Sequence, residues 1–114
     1  MNHQTVAPEM NNCIENCQQC HAICLQTVMN HCLEAGGTHV EPEHVRLMLN
    51  CAEICQTSAN FMLSNSPVFC AVCQACAVVC NACAESCEKI GEMSDCLKAC
   101  RQCAASCEKM AKMN

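Results

Sequence analysis

Seventeen cysteines in a chain of 114 residues dominate the chemistry of this sequence. Most recur at steps of three or four residues, and they include seven Cys-x-x-x-Cys pairs: 13/17, 20/24, 51/55, 76/80, 83/87, 96/100 and 103/107. On a helix, the two sulfurs of such a pair lie one turn apart on one face, where they can share an ion. This arrangement favours Cu(I), a soft ion that accepts two or three thiolates, over zinc, which prefers four ligands in a tetrahedron.

Helical periodicity aligns most cysteines into inward-facing stripes. At about 100° per residue, the cysteines at 13–24 and those at 96–107 each fall within an arc of about 60°. Cys32 and Cys70 lie off the central stripes, whereas His31 lies in the middle of the first one. On the second segment, one face carries His44, Met48, Ser58 and Met62 beside its two cysteines. The predicted Cu(I) ligands are Cys13, Cys17, Cys20, Cys24, Cys32, Cys51, Cys55, Cys70, Cys73, Cys76, Cys80, Cys83, Cys87, Cys96, Cys100, Cys103, Cys107, His31, His44, Met48 and Met62.

A row of thiolates also allows each sulfur to bridge two ions. With two-coordinate ions the capacity then approaches roughly one Cu(I) per cysteine. One Cu(I) with one thiolate is neutral, so a filled core carries no uncompensated buried charge. We therefore expect many Cu(I) ions per chain and a release of protons on loading.

Turn signals divide the chain into four helical segments, roughly 9–35, 42–64, 67–90 and 94–112. Gly36, Gly37 and Pro42 mark the first connection, and Gly91 marks the third. Ser66 is the predicted N-cap of the third helix, with Pro67 at its first position, and Ser94 is the predicted N-cap of the fourth. The connections are short, so we predict an all-α, up-down-up-down antiparallel four-helix bundle formed by a single domain, residues 1–114.

In such a bundle, weaker ligands gather at both ends and could pass ions to the core. One end collects His31, Cys32, His44, Met48, Cys87, Met93 and Cys96. The other collects Met10, Cys13, Met62, Cys70, Cys107 and Met110. A methionine on an apolar face more often fills space than binds metal. The remaining histidines, His3, His21 and His39, are expected to be solvated.

Composition restricts the function classes. Lys and Arg total six and the formal net charge is −5, which argues against binding nucleic acid. No stretch approaches about eighteen uninterrupted apolar residues, so no membrane span is predicted. The first twelve residues show neither a basic nor an apolar region of the kind that directs export. We therefore expect a cytoplasmic protein whose thiols stay reduced.

The cysteine segments resemble the bacterial copper storage proteins over essentially the whole chain. The segments that carry this resemblance read CIENCQQCHAIC, CAEIC, CAVCQACAVVCNACAESC and CLKACRQCAASC. It implies a thiol-lined four-helix bundle that binds many Cu(I) ions and assembles as a homotetramer, here in the cytosolic form. From the residues themselves we expect a binding protein without catalytic turnover. The second helix departs from a uniform thiol array, because Met and Ser occupy positions that thiols could fill.

Two other functions remain open from the residues. A zinc or heavy-metal buffer of metallothionein type would use the same thiols, although it would need no regular helix. An iron–sulfur electron carrier would use the spacing of Cys70, Cys73, Cys76 and Cys80. However, the residue after Cys80 is Asn81 rather than proline, and the helical register continues through Cys83. A thiol oxidoreductase is disfavoured because the pattern is helical throughout.

Overall fold

A computed structural model describes residues 7–113, so the prediction that His3 is solvated lies outside the described residues. Within that range the chain folds into four long helices. The first, α1, covers residues 8–35 in three consecutive parts, the α-helix Pro8–Gln26, the π-helix Thr27–Cys32 and the α-helical turn Leu33–Ala35. A 3₁₀ turn, Gly37–Val40, leads to α2, Pro42–Leu63; α3 is Phe69–Ile90 and α4 is Ser94–Ala111.

Each helix packs against the next in sequence, and α4 closes the bundle against α1. The short connections make neighbours antiparallel, which confirms the predicted four-helix bundle. The principal extents are 50 × 23 × 18 Å. One core of cysteine, alanine and methionine runs along the bundle axis, so the functional side chains and the stabilising side chains are largely the same.

Two predicted helix starts are wrong in detail. Helix α3 begins at Phe69 with Val68 as its N-cap residue, not at Pro67. Ser66 instead closes the preceding turn, because its Oγ accepts a hydrogen bond from the Val68 N–H at 3.2 Å. Ser94 is the first helical residue of α4, and Met93 holds the N-cap position without a side-chain hydrogen bond. Both corrections change only the residues at which α3 and α4 begin.

The π-helical part of α1 changes which residues face the core. In an uninterrupted α-helix His31 would lie on the thiol stripe and Cys32 would lie about 100° away from it. A π turn absorbs one extra residue and rotates the following residues by about that angle. Cys32 is accordingly fully buried, whereas His31 is exposed. The prediction that His31 lies on the stripe is therefore wrong.

Helix α3 is long and apolar enough, with a mean hydropathy of 1.4, to meet the requirements of a membrane span. Its apolar character comes largely from cysteine and alanine residues, such as Cys76, Ala77, Cys80 and Ala84, that are buried against the other helices. One third of the apolar window is buried, and the buried residues lie on the face that carries the core cysteines.

Candidate metal centre

The sulfurs form the interior of the bundle. All seventeen cysteines are free thiols, and sixteen of them are buried. Most of the buried ones have no solvent-accessible surface at all. Since each helix contributes thiols from one face, the inward stripes predicted from the spacing come together along a single axis.

Distances within the core are short both along and between helices. Within a helix, the Sγ atoms of Cys20 and Cys24 lie 3.8 Å apart, and those of Cys51 and Cys55 lie 4.0 Å apart. Between helices, the Sγ of Cys24 lies 3.3 Å from that of Cys96 on α4. An ion can therefore be shared across helices as readily as along one.

Several sets of thiols are close enough to surround an ion, because their Sγ atoms all lie within 4.8 Å of one another. These sets include Cys17/Cys76/Cys103/Cys107, Cys20/Cys24/Cys51/Cys100, Cys20/Cys55/Cys80/Cys103, Cys24/Cys83/Cys96/Cys100 and Cys13/Cys73/Cys107.

The four-thiol sets share cysteines, and this sharing favours Cu(I) over zinc. Cys20, Cys24, Cys100 and Cys103 each belong to two four-thiol sets. Zinc would need four thiolates for each ion and would leave a buried charge of about −2 at each separate site. Cu(I) accepts shared thiolates and can approach charge neutrality, so it suits the overlapping array better.

Contacts between neighbouring thiols shift their pKa values in both directions: the contact with Cys100 lowers the pKa of Cys20, whereas other thiols hold their protons more firmly than a free cysteine does. Contacts with Cys100 and Cys20, together with burial, raise the pKa of Cys24. Contact with Cys107 lowers the pKa of Cys73, but contact with Cys13 and burial outweigh it and raise that pKa to about 11. Thiolates packed this closely would repel one another in a low-dielectric interior. Loading with a cation must therefore displace protons.

A mixed set of ligands lies where α1 and α3 end. The Cys32 Sγ lies 3.7 Å from His44 Nε2 and 3.6 Å from Met93 Sδ. Burial lowers the pKa of His44, so its imidazole is neutral at pH 7. The other ring nitrogen, Nδ1, lies 2.7 Å from Ser86 Oγ, which fixes the ring while Nε2 faces the thiol. Burial also raises the pKa of Cys32.

Met48 links this end to the thiol core. Its Sδ lies 3.5 Å from the Sγ atoms of both Cys83 and Cys87 and 3.6 Å from that of Cys96. The thioether therefore occupies a place among thiols that a cysteine would otherwise fill. It keeps the row of soft ligands continuous across α2.

The opposite end contains fewer sulfur contacts. Cys13 lies 3.6 Å from Cys107, Sγ to Sγ, and Cys73 lies 3.5 Å from Ser58 Oγ. Met62 is fully buried there. Cys70, placed off the stripe by its spacing, is only half-buried and donates a hydrogen bond to the Met113 carbonyl oxygen.

The four cysteines with ferredoxin-like spacing occupy one continuous helix, α3, and do not lie on a single face. Cys70 is half-buried at the helix start, whereas Cys76 and Cys80 lie in the shared thiol core. The continuous helix therefore holds these four cysteines apart, whereas an iron–sulfur cluster needs its ligands on a loop that surrounds the cluster.

His39 is the residue that sequence reasoning missed. The prediction that it is solvated is wrong, because it is 7% exposed. Its position in a 3₁₀ turn gives no periodic signal that could have identified it. His31, expected in the core, lies beside it instead, with the ring centroids 5.0 Å apart.

Comparison with known proteins agrees with this chemistry. Residues 6–112 match the family model of the copper storage protein. No curated protein matches the sequence. Among solved structures, a protein from Nitrosospira multiformis is 56% identical, with a TM-score of 0.91, over 93% of this chain and 97% of that one.

Two further structures carry descriptions of copper binding. The Cu(I)-bound copper storage protein 3 of Bacillus subtilis is 34% identical, with a TM-score of 0.84, over 90% of this chain and 98% of that one. A cytosolic copper storage protein from Streptomyces lividans, with five coppers, is 30% identical, with a TM-score of 0.75, over 93% of this chain and 94% of that one. The chain therefore belongs to the copper storage protein family.

Proposed function

We propose that this protein stores many Cu(I) ions on its cysteine thiolates. The observation that carries the proposal is the set of overlapping four-thiol groups along the bundle axis. Shared sulfurs allow several ions to be held with fewer than four thiolates each and with little net charge. The relatives from Bacillus subtilis and Streptomyces lividans, described as Cu(I)-bound and as loaded with 10 copper equivalents, support the same cargo.

The ligands that we propose are the buried cysteines, with His44 and Met48 completing the array at one end. His44 offers Nε2 to the space beside Cys32, and Met48 offers its Sδ to three thiols. Cys70 and Met62 would act only at the periphery. We propose no catalytic turnover, since a storage role requires binding and release alone.

Anaerobic titration of the reduced protein with Cu(I), against a competing chelator, tests this function. We expect saturation well above about ten ions per chain, with absorption from thiolate-to-copper charge transfer. Saturation at about four ions or fewer would contradict storage and would favour a zinc-type or single-cluster site. A parallel titration with Zn(II) should saturate at a much lower ratio, because each zinc needs four thiolates.

We also propose that the protein is a cytosolic homotetramer of single-domain chains. The Streptomyces lividans relative is described as cytosolic. An outer row on α1 offers a surface for association, because Leu25, Met29 and Leu33 are 40%, 50% and 53% exposed at a spacing of four residues. Burying such a row in a subunit interface removes apolar area from water.

Light scattering coupled to size-exclusion chromatography tests the assembly. The unaltered chain of 12.4 kDa should elute with about four times that mass. The double substitution Met29→Lys and Leu33→Lys should give a monomer with unchanged helix content. A matched double substitution of exposed residues on α4, Gln102→Lys and Ala105→Lys, should remain assembled. A monomeric unaltered chain would refute the tetramer.

A further inference from the structure

Outside the thiol core, three potential ligands without sulfur meet at the surface of one bundle end. His31 comes from the π-helical part of α1, His39 from the 3₁₀ turn and Glu92 from the connection between α3 and α4. The Nε2 atom of His39 lies 3.7 Å from Glu92 Oε1. It is shielded from solvent and has no hydrogen-bond partner among the described residues. A buried imidazole nitrogen without a hydrogen bond is costly unless something else binds it.

Separate features of the backbone bring these side chains together. The π turn rotates His31 out of the core and toward His39. Glu92 has φ = 62°, a left-handed conformation that is uncommon for residues other than glycine. The same short connection places Met93 inside the core beside Cys32 and leaves the Glu92 carboxylate outside. Such backbone conformations persist where the surrounding structure holds them, often at functional sites.

The spacing suits one shared metal ion. Two imidazoles bound at about 2.0 Å in a tetrahedral site have ring centroids roughly 5 Å apart, and an imidazole nitrogen and a carboxylate oxygen lie roughly 3.4 Å apart. Here the centroids of His31 and His39 are 5.0 Å apart, and the nitrogen of His39 and the oxygen of Glu92 are 3.7 Å apart. His31 and Glu92 are exposed, so their side chains are free to adjust around an ion.

The ligand types differ from those of the core. Two imidazoles and a carboxylate favour a borderline divalent ion such as Zn(II), whereas the soft thiolates select Cu(I). We propose that His31, His39 and Glu92 form a second metal site that binds one divalent transition-metal ion of the Zn(II) class. The ligands of this site contain no sulfur, so it is chemically separate from the stored Cu(I).

Cobalt(II) is the probe for this site, applied to protein already saturated with Cu(I) so that the thiols are occupied. The copper content is measured first, which separates failure of this proposal from failure of copper storage. Anaerobic addition of Co(II) should then give one bound ion per chain with the visible absorption of a tetrahedral complex and no thiolate-to-cobalt charge transfer. Ultrafiltration followed by metal analysis gives the stoichiometry.

Three substitutions and one control define the ligands. His39→Gln should weaken Co(II) binding at least about tenfold, as expected for the loss of a direct ligand. Glu92→Gln and His31→Gln change exposed residues, so they test the site without disturbing the core. His21→Gln is the control, because the His21 ring lies elsewhere, 2.8 Å from the Ala52 carbonyl oxygen; its binding should be unchanged.

Any one of three results would overturn the proposal. The first is the absence of a cobalt complex on the Cu(I)-saturated protein, and the second is a sulfur-to-cobalt charge-transfer band in the bound state. The third is unchanged Co(II) affinity in both Glu92→Gln and His31→Gln. In any of these cases the contact between His39 and Glu92 is only structural.

Discussion

Individual thiols differ in how many metal positions depend on them. Cys24 has Sγ neighbours on α1, α2 and α4 and belongs to two of the four-thiol sets. Cys70 lies at the start of α3 and hydrogen-bonds to the Met113 carbonyl oxygen. Copper capacity should therefore depend on the position of a cysteine in the sulfur network and not only on the number of cysteines.

We predict that Cys24→Ala lowers the Cu(I) capacity by about two ions, because shared thiolates support more than one ion. The matched substitution Cys70→Ala should lower it by about one ion at most. Competitive Cu(I) titration measures both, and circular dichroism checks that each variant keeps its helices. Equal losses would mean that every cysteine contributes independently, contrary to the overlapping sets.

Among the helices, α1 differs from the others because its regular geometry is interrupted. The π-helical part, Thr27–Cys32, contains one more residue than an α-helix would need between the same buried positions. Asn30 lies on its outer surface, where its side chain donates a hydrogen bond of 2.9 Å to the Gln26 carbonyl oxygen. The interruption determines that Cys32 faces inward and His31 outward.

Deleting Asn30 should therefore convert α1 to a continuous α-helix that still buries Cys32. We expect the helix content to stay the same and the Cu(I) capacity to stay within about one ion of that of the unaltered protein. Deleting Gln19, from the α-helical part, is the matched control. It should cost at least about two ions, because it rotates the cysteines on one side of the deletion by about 100°. Circular dichroism and Cu(I) titration report both effects; equal losses would contradict this view of the π turn.

At the scale of the whole molecule, one set of side chains both stabilises the bundle and holds the cargo. Protonated thiols pack as small apolar groups, so the core is filled without metal. The metal-free protein should accordingly fold as the same bundle, with closely similar circular dichroism. Its stability then depends on the thiols keeping their protons.

We predict that the metal-free protein loses stability as the pH rises from 9 to 11. The thiol of Cys73 has a pKa of 9.0 in an unfolded chain and about 11 in the fold. Between these values the folded state binds more protons, so rising pH favours unfolding; this contribution is complete below pH 9 and is lost above 11. Anaerobic thermal melting should show a Tm lower by about 5 °C or more at pH 11.

The Cu(I)-loaded protein is the control for this experiment. Its thiolates have already exchanged protons for copper, so its Tm should change little over the same range. A metal-free protein whose Tm is equal at pH 8 and pH 11 would show that the buried thiols do not retain their protons as the fold requires.

The sequence by itself determined the helices, their antiparallel order and the thiol-lined core. A repeat of three and four residues is a local property of the chain, and it directs Cys13, Cys20, Cys80 and Cys103 inward in any regular helix. The softness of thiolates likewise follows from residue type, so copper as the cargo could be predicted before any fold was known.

Only the tertiary structure determines which side chains at the bundle end face the core and which face the solvent. His31 and Cys32 reverse their roles because packing selects a π turn that no periodic rule predicts. His39 lies beside Glu92 because two connections distant in sequence meet at this end of the bundle. The overlap between thiol sets also requires four helices at once, since neighbours such as Cys24 and Cys96 are 72 residues apart in the chain. Local spacing fixes the direction of a side chain relative to its own helix, whereas its partners depend on how the helices pack.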